Sequence, residues 1–265
     1  RILLRLGSFR ASHLSQLDKR ARKFDWQTVL RSDVPIKVEA VCRRSKIYHS
    51  GAAKERVERA IVDQIGAPLQ SEEAVGVKVR IENDVVTISL DTSGESLHKR
   101  GHKAAVSKAP MRETLAALLM RSCGFDGTQA FVDPMCGSGT FPIEAAEWAM
   151  GLKPGRAREF DFQRLVSYNA DAVDAMRASE PLETGLRFFG SDRNAGAIEM
   201  AQANAERAGV SAVTQFRQSA ISDLVRPDVE PGLVMINPPY GGRIGDKKQL
   251  FGLYGAMGQT LKERF

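Results

Sequence analysis

Residues 131–140 read FVDPMCGSGT. An apolar strand runs into an acidic residue, then a Gly-x-Gly turn, then a helix. Gly137 and Gly139 let the backbone turn tightly and let a ligand approach it closely. The helix that opens after Thr140 points its free N–H groups at the loop. The spacing is not GxGxxG, and no Lys-Ser/Thr pair follows, so neither the dinucleotide fingerprint nor the Walker loop fits well. A Gly-x-Gly alone also serves as a plain strand-to-helix turn. The flanking strand and helix favour a ligand loop.

The rest of the chain sets this loop in a repeating frame. A helix is expected at 111–123 with Gly124 behind it. Strands are expected at 130–133, 186–191, 213–217 and 232–236, and helices at 139–150, 195–208 and 249–263. Asn194 is placed to cap the 195–208 helix, and Gly209 to stop it. Strands separated by helices predict a parallel, doubly wound α/β sheet of Rossmann-like type. Asp133 and Asp192 stand 59 residues apart, against about 20 in a compact βαβ unit, so residues 151–185 read as an insertion. Four strands make a thin sheet, and the chain opens on Arg1 and closes on Phe265 inside or just after a helix. The expectation is a piece of a longer protein, with further strands of this sheet outside it.

The first 95 residues read differently. Residues 1–9 and 36–42 alternate as strands. Residues 51–65 place Ala53, Val57, Ala60 and Ile61 on one helical stripe before Gly66. Val77, Val79 and Ile81, then Val86, Ile88 and Leu90, flank Asn83-Asp84 as a hairpin. The expected division is an α+β domain over 1–95, a linker over 96–112, and the Rossmann-like domain over 113–265. Residues 94–110 are polar and basic, and read as that linker or as a loop facing the substrate.

Charge separates the two parts. Residues 1–60 carry a net +9, residues 61–110 a net −1, and residues 111–265 a net −2. Arg20, Arg22, Lys23, Arg43, Arg44, Lys46, Lys54, Arg56 and Arg59 supply most of the excess. A polyanion-binding module beside a near-neutral domain follows, with a solvated basic face as the alternative. Hydrophobic residues at 43% and charged residues at 26% exclude wholesale disorder and collagen-like structure. No apolar run nears the ~20 residues of a membrane span. Cys42, Cys123 and Cys136 are too scattered for a disulfide framework, so a reducing, cytoplasmic setting is expected. The four histidines form no metal set, and no metal is expected. Cys136, with no nearby His and no proline just before it, reads as a small loop residue rather than a nucleophile.

Two further strand ends carry chemistry. The second strand ends at Gly190-Ser191-Asp192, where α/β sites hold a ribose through its hydroxyls; the alternative is a charge acting on the helix dipole. The fourth runs from Leu233 into Asn237-Pro238-Pro239-Tyr240. The prolines end the strand and fix the backbone. The Asn237 side-chain oxygen and the Pro238 carbonyl can then accept both hydrogens of an exocyclic base amine, while Tyr240 stacks on the base. Positioning and aligned dipoles supply the catalysis, and no general base of shifted pKa is required.

DPMCGSGT followed about a hundred residues later by NPPY resembles the S-adenosylmethionine-dependent amino-methyltransferases. RGHKAAVSKAPMRETLAALL (100–119), DPMCGSGTFPIEAA (133–146), GSDRN (190–194) and INPPYGGR (236–243) together resemble the bacterial 23S rRNA guanine-N2 methyltransferases that carry an N-terminal THUMP domain. SKIYHSGAAKERV (45–57) resembles the THUMP segment before the linker. The resemblance implies S-adenosylmethionine as cofactor. Asp133, Pro134, Cys136, Gly137, Ser138, Gly139 and Thr140 would line its methionine end, Asp192 would hold its ribose, Arg193 and Asn194 would flank its adenine, and Thr114 would close over it. Asn237, Pro238, Pro239 and Tyr240 would receive the target base. Structured RNA, 23S rRNA first, would be the partner, met by Arg43, Arg44, Lys46, Lys54, Arg100, Lys103 and Arg243. The alternatives are tRNA guanine N2, DNA adenine N6, or a non-catalytic RNA-binding protein. Many such enzymes place an acidic residue after the third strand, against the adenine. Here the stretch reads RQSAISDL (217–224), with Asp223 its sole carboxylate and its role open.

Overall fold

The computed structural model describes residues 1–69, 73–103, 111–178, 180–239 and 247–265. In chain order the elements are β1 (Leu3–Arg10), α1 (Leu14–Ala21), β2 (Ile36–Arg43), α2 (Ser50–Ile65), β3 (Val75–Glu82), β4 (Val85–Asp91), α3 (Glu113–Ser122), β5 (Phe131–Asp133), α4 (Thr140–Ala149), α5 (Ala170–Arg177), β6 (Phe188–Asp192), α6 (Ala195–Ala208), β7 (Thr214–Gln218), β8 (Leu233–Val234) and α7 (Lys247–Arg264), with 3-10 turns at Trp26–Thr28, Asp161–Arg164 and Ile221–Asp223. The chain divides into two compact units, Arg1–Leu97 with Glu159–Met176, and His98–Arg158 with Arg177–Phe265.

The first unit holds a four-stranded sheet in the order β1-β4-β3-β2. β4 is antiparallel to both neighbours, and β2 runs parallel to β3. The period-2 pattern of β3 puts Val75, Val77, Val79 and Ile81 into the core. Asn83 and Asp84 take φ of +51° and +61° at the hairpin turn, a conformation these short polar residues tolerate well. The α2 stripe of Ala53, Val57, Ala60 and Ile61 is buried, and Gly66 closes the helix in the left-handed region with its N–H on Val62 O. Residues 10–35, for which no element is expected from the sequence, contain α1. That helix has eight residues and its cap residue His13 makes no side-chain cap bond. Tertiary packing holds it instead: Leu17 and Ala21 are buried beside Trp26, whose indole N–H donates to Ala21 O at 3.0 Å.

Residues 159–176 join this first unit, whereas the sequence placed them inside the second domain as an insertion. Phe162 N–H donates to Thr92 O and Val166 N–H to Val29 O, and Leu165 is buried in the first core. The Phe-Asp-Phe run at 160–162 supplies apolar surface, but a local pattern does not say which core receives it.

The second unit is a parallel α/β sheet in the order β7-β6-β5-β8. All three pairings are parallel, with Phe131 opposite both Phe188 and Leu233. Phe131 and Phe188 are fully buried among Phe125, Phe141 and Met120. Because the strands run the same way, the ends of β5 and β6 and the chain leaving β8 open on one edge, where ligands of open α/β sheets bind. Gly190 brings β5 and β6 together there. A β-carbon on it would stand 2.6 Å from the Phe216 ring and 3.0 Å from Cys136 Sγ. Among the described residues, no helix is long and apolar enough to cross a membrane.

Candidate active site

The loop between β5 and α4 is fixed at nearly every residue. Asp133 Oδ1 accepts from Met135 N at 3.0 Å. Cys136 N–H donates to Ser191 O, and Gly139 N–H to Cys136 O, both at 2.9 Å. Asp192 at the end of β6 accepts from Gly137 N at 3.1 Å through Oδ2 and from Asn194 N at 2.9 Å through Oδ1. Gly139 has φ +86°, and a β-carbon there would press on Ala201, Ile143 and Phe216 at 3.0–3.2 Å. Glycine is therefore required at 139 by backbone conformation and by space together.

Burial sets the charges. Asp133 is buried, and burial first, with the neighbouring Asp192 charge adding to it, raises its pKa from 3.8 to about 7 against the opposing Met135 N–H. Burial likewise pushes the Cys136 thiol well above its ordinary range. Cys136 is a packed thiol rather than a poised nucleophile.

Beside the loop lies a cavity of about 360 Å³ lined by residues from four strand ends and one helix. Pro134 and Met135 follow β5, Asp192 and Arg193 end β6, and Asn237 and Pro239 follow β8. Ser219, Ala220 and Ile221 after β7 and Leu253 on α7 complete it. Tyr254 on α7 donates its hydroxyl to Pro239 O at 2.9 Å, holding the proline pair.

Behind the loop sits a buried polar network. Arg100 is buried and pairs with Glu144 of α4 at 3.0 and 3.1 Å. Lys103 Nζ lies 2.7 Å from Thr140 Oγ1, 3.2 Å from Glu113 and 3.2 Å from Met111 O. Arg156 lies 2.6 Å from Glu147. His102 is buried, and burial, reinforced by Arg156 and the other nearby cations, lowers its pKa to about 4. Asn204 donates to Ser138 O at 3.0 Å, and Arg207 joins Asn204 to the His102 carbonyl.

Comparison with known proteins identifies the domain. Residues 100–265 match the family model described as UPF0020: RMKL-like, methyltransferase domain. The chain belongs to this family. Its cofactor is S-adenosylmethionine. A relative named ribosomal RNA large subunit methyltransferase K/L, from Syntrophotalea carbinolica, is 34% identical over all of this chain, which spans 40% of that relative's length. A Listeria monocytogenes protein described as a predicted N6-adenine-specific DNA methylase superposes with TM-score 0.88 and 32% identity, over 98% of this chain and 71% of that one. SMU.472, solved in complex with SAH, superposes with TM-score 0.87 and 28% identity, over 99% and 72% of the two chains. The second unit is thus a Rossmann-like methyltransferase domain.

The methyltransferase domain gathers some sequence-named residues and separates others. Pro134, Asp192, Arg193, Asn237 and Pro239 share the cavity, with Pro238 between the last two. Asp133, Cys136, Ser138 and Thr140 are buried in the loop and its helix start. Asn194 caps α6 through its bond from Gly196 N. Thr114 is exposed on α3, and its neighbour Glu113 is the residue that turns inward. Arg100 and Lys103, expected against RNA phosphate, are instead buried ion-pair partners. The polar 94–110 pattern reads as a linker because charges that pair inside a fold look solvated in a sequence. Lys54 pairs with Glu58 along α2, while Arg43, Arg44 and Lys46 are exposed. Tyr240 and Arg243 lie outside the described residues. Asp223 lines a separate cavity of about 260 Å³, and Ser219–Ile221 stand at the main one in its place. No sequence signal marked Tyr254, Asn204 or Arg207.

Two outcomes are expected. Between pH 4 and 7 the unfolded chain ionises Asp133 while the folded one keeps it protonated, so burial of Asp133 costs stability progressively across that window and constantly above it. The stability of Asp133→Asn relative to wild type should therefore grow by roughly 2–4 kcal/mol from pH 4 to pH 8 in denaturant melts. Lys103→Ala strands Glu113 and should cost about 3 kcal/mol or more of stability, while leaving the salt dependence of RNA binding unchanged. A normal melt with a shallower salt slope would return Lys103 to the RNA surface.

Proposed function

We propose that this chain transfers a methyl group to the exocyclic N2 of a guanine in RNA, with 23S rRNA as the first substrate, and that residues 1–95 form a THUMP-type RNA-binding domain. One observation carries the reading: Asn237 and Pro239 line the same cavity as Pro134, Met135 and Asp192. A base-receiving group and a cofactor-binding loop must adjoin for direct transfer.

The donor set fits the cofactor. Asp192 keeps lone pairs beyond the two it uses on Gly137 and Asn194, enough to accept from ribose hydroxyls. Ile221 and Leu253 offer apolar surface for a purine, with Arg193 beside it. Pro134 and Met135 form the wall at the methionine end, on the loop that Asp133, Cys136 and Gly137–Thr140 shape behind them. When bound, S-adenosylmethionine supplies an electrophilic methyl on a sulfonium.

The chain's own residues do the positioning. The Asn237 amide oxygen and the Pro238 carbonyl accept the two hydrogens of the target amine and orient its lone pair. Tyr240 stacks on the extruded base. Tyr254 on Pro239 O holds the backbone beside Asn237 and Pro238, so less reorganisation remains there at the moment of reaction.

The test is incubation of the chain with radiolabelled cofactor and rRNA, tRNA or DNA, followed by identification of the labelled nucleoside. N2-methylguanosine is expected. Label in N6-methyladenine of DNA would replace the guanine reading. Asn237→Ala should keep cofactor binding by calorimetry and lose turnover by about 10²-fold or more. Unchanged turnover would remove Asn237 from the mechanism.

A further inference from the structure

The first unit has a cleft of about 600 Å³ whose wall carries Arg10, Lys19, Arg20, Lys23 and Lys46, against one carboxylate, Asp84. These cations come from four places: the end of β1, the last turn of α1, the turn after it, and the loop after β2. The cleft forms where the β3–β4 turn meets the end of β1, since Ala11 N–H donates to Asp84 O at 3.0 Å. Asp84 Oδ1 is itself held, accepting from Lys46 N at 2.7 Å.

Position, more than pairing, sets these cations apart: other cations of the unit that hold no carboxylate among the described residues, such as Arg5, Lys37, Arg56 and Arg59, do not line the cleft. Arg22, Arg31, Lys54, Lys78 and Arg80 each hold a carboxylate within 3.5 Å. Among the described residues, none of the five cleft cations does. All five are exposed. Five like charges around one concavity repel one another, a cost that a polyanion would reverse. The lining holds no aromatic side chain, so nothing in it stacks on a base. Its volume of about 600 Å³ lies in the range of ligand clefts, a concavity that a strand can enter.

We propose that this cleft holds the phosphodiester backbone of a single RNA strand, independent of base sequence. The proposal rests on the RNA reading given above and assigns it a place. Arg10, Lys19, Arg20 and Lys23 become contact residues alongside Lys46. Backbone contacts of this kind set register and orientation, leaving base choice to the catalytic cavity.

The test measures binding of labelled single-stranded and duplex RNA to the whole chain by fluorescence anisotropy across a salt series. The Lys19→Gln, Arg20→Gln, Lys23→Gln triple variant should bind the single strand about tenfold or more weakly, with the slope of log K against log salt reduced by about 2, at ~0.7 per lost phosphate contact. Arg31→Gln, a paired cation away from the cleft, should bind as wild type. Asp84→Asn keeps the acceptor for Lys46 N and removes the one anion, so it should bind several-fold more tightly, a gain that misfolding does not produce. Wild-type binding with an unaltered triple variant overturns the cleft and leaves the RNA reading standing. Loss confined to duplex RNA overturns the single-strand assignment. No RNA binding by wild type overturns both readings.

Discussion

The Asp192 carboxylate ties two strand ends together, and the site depends on that tie. One oxygen takes the Gly137 N–H from the loop after β5, and the other takes the Asn194 N–H at the start of α6. The neighbouring Cys136 N–H closes on Ser191 O. These bonds form only because Gly190 has no side chain between Cys136 and Phe216. The glycine loop is therefore shaped by β6 as much as by its own sequence. The cavity beside it inherits that rigidity.

Behind the loop, buried ion pairs stand beside the apolar packing of Ile143, Ala201 and Phe216. Arg100 with Glu144, and Lys103 with Glu113 and Thr140, are charge pairs taken out of water. Such pairs are costly to bury and still costlier to break singly, so they add directionality more than net stability. Each joins the 100–103 segment to the start or face of a helix that frames the loop. The Asn204–Ser138 bond does the same from α6. Register here is set by hydrogen-bond geometry, which tolerates less displacement than contact between methyl groups.

Charge divides labour between the units. In the first unit, some cations are neutralised by a carboxylate, and five that hold none among the described residues share one cleft. In the methyltransferase domain nearly equal numbers of acids and bases are spent on internal pairs or left dispersed. A net charge of +6 for the chain averages over these two arrangements and describes neither.

Much of the fold was legible in the sequence. The alternation of β3 and β4, the α2 stripe and the strand–helix succession after residue 111 are local periodicities, and each became the element it predicted. Residues at the strand ends were also legible, because a parallel sheet sends all such ends to one edge. Short segments without capping signals were not legible: α1 has eight residues and is held by Trp26, and residues 159–176 pack into the first unit. The sequence alone determined a parallel α/β unit with DPMCGSGT, Asp192 and NPPY at its strand ends, and a basic leading segment. The tertiary structure alone decided which charges are solvated and which are buried. It turned Arg100 and Lys103 inward, brought Ser219, Ile221 and Tyr254 to the site, and left Lys19, Arg20 and Lys23 without a carboxylate partner among the described residues. The physical reason is that a side chain's charge is written in its own residue, whereas its partner and its dielectric come from residues distant in sequence.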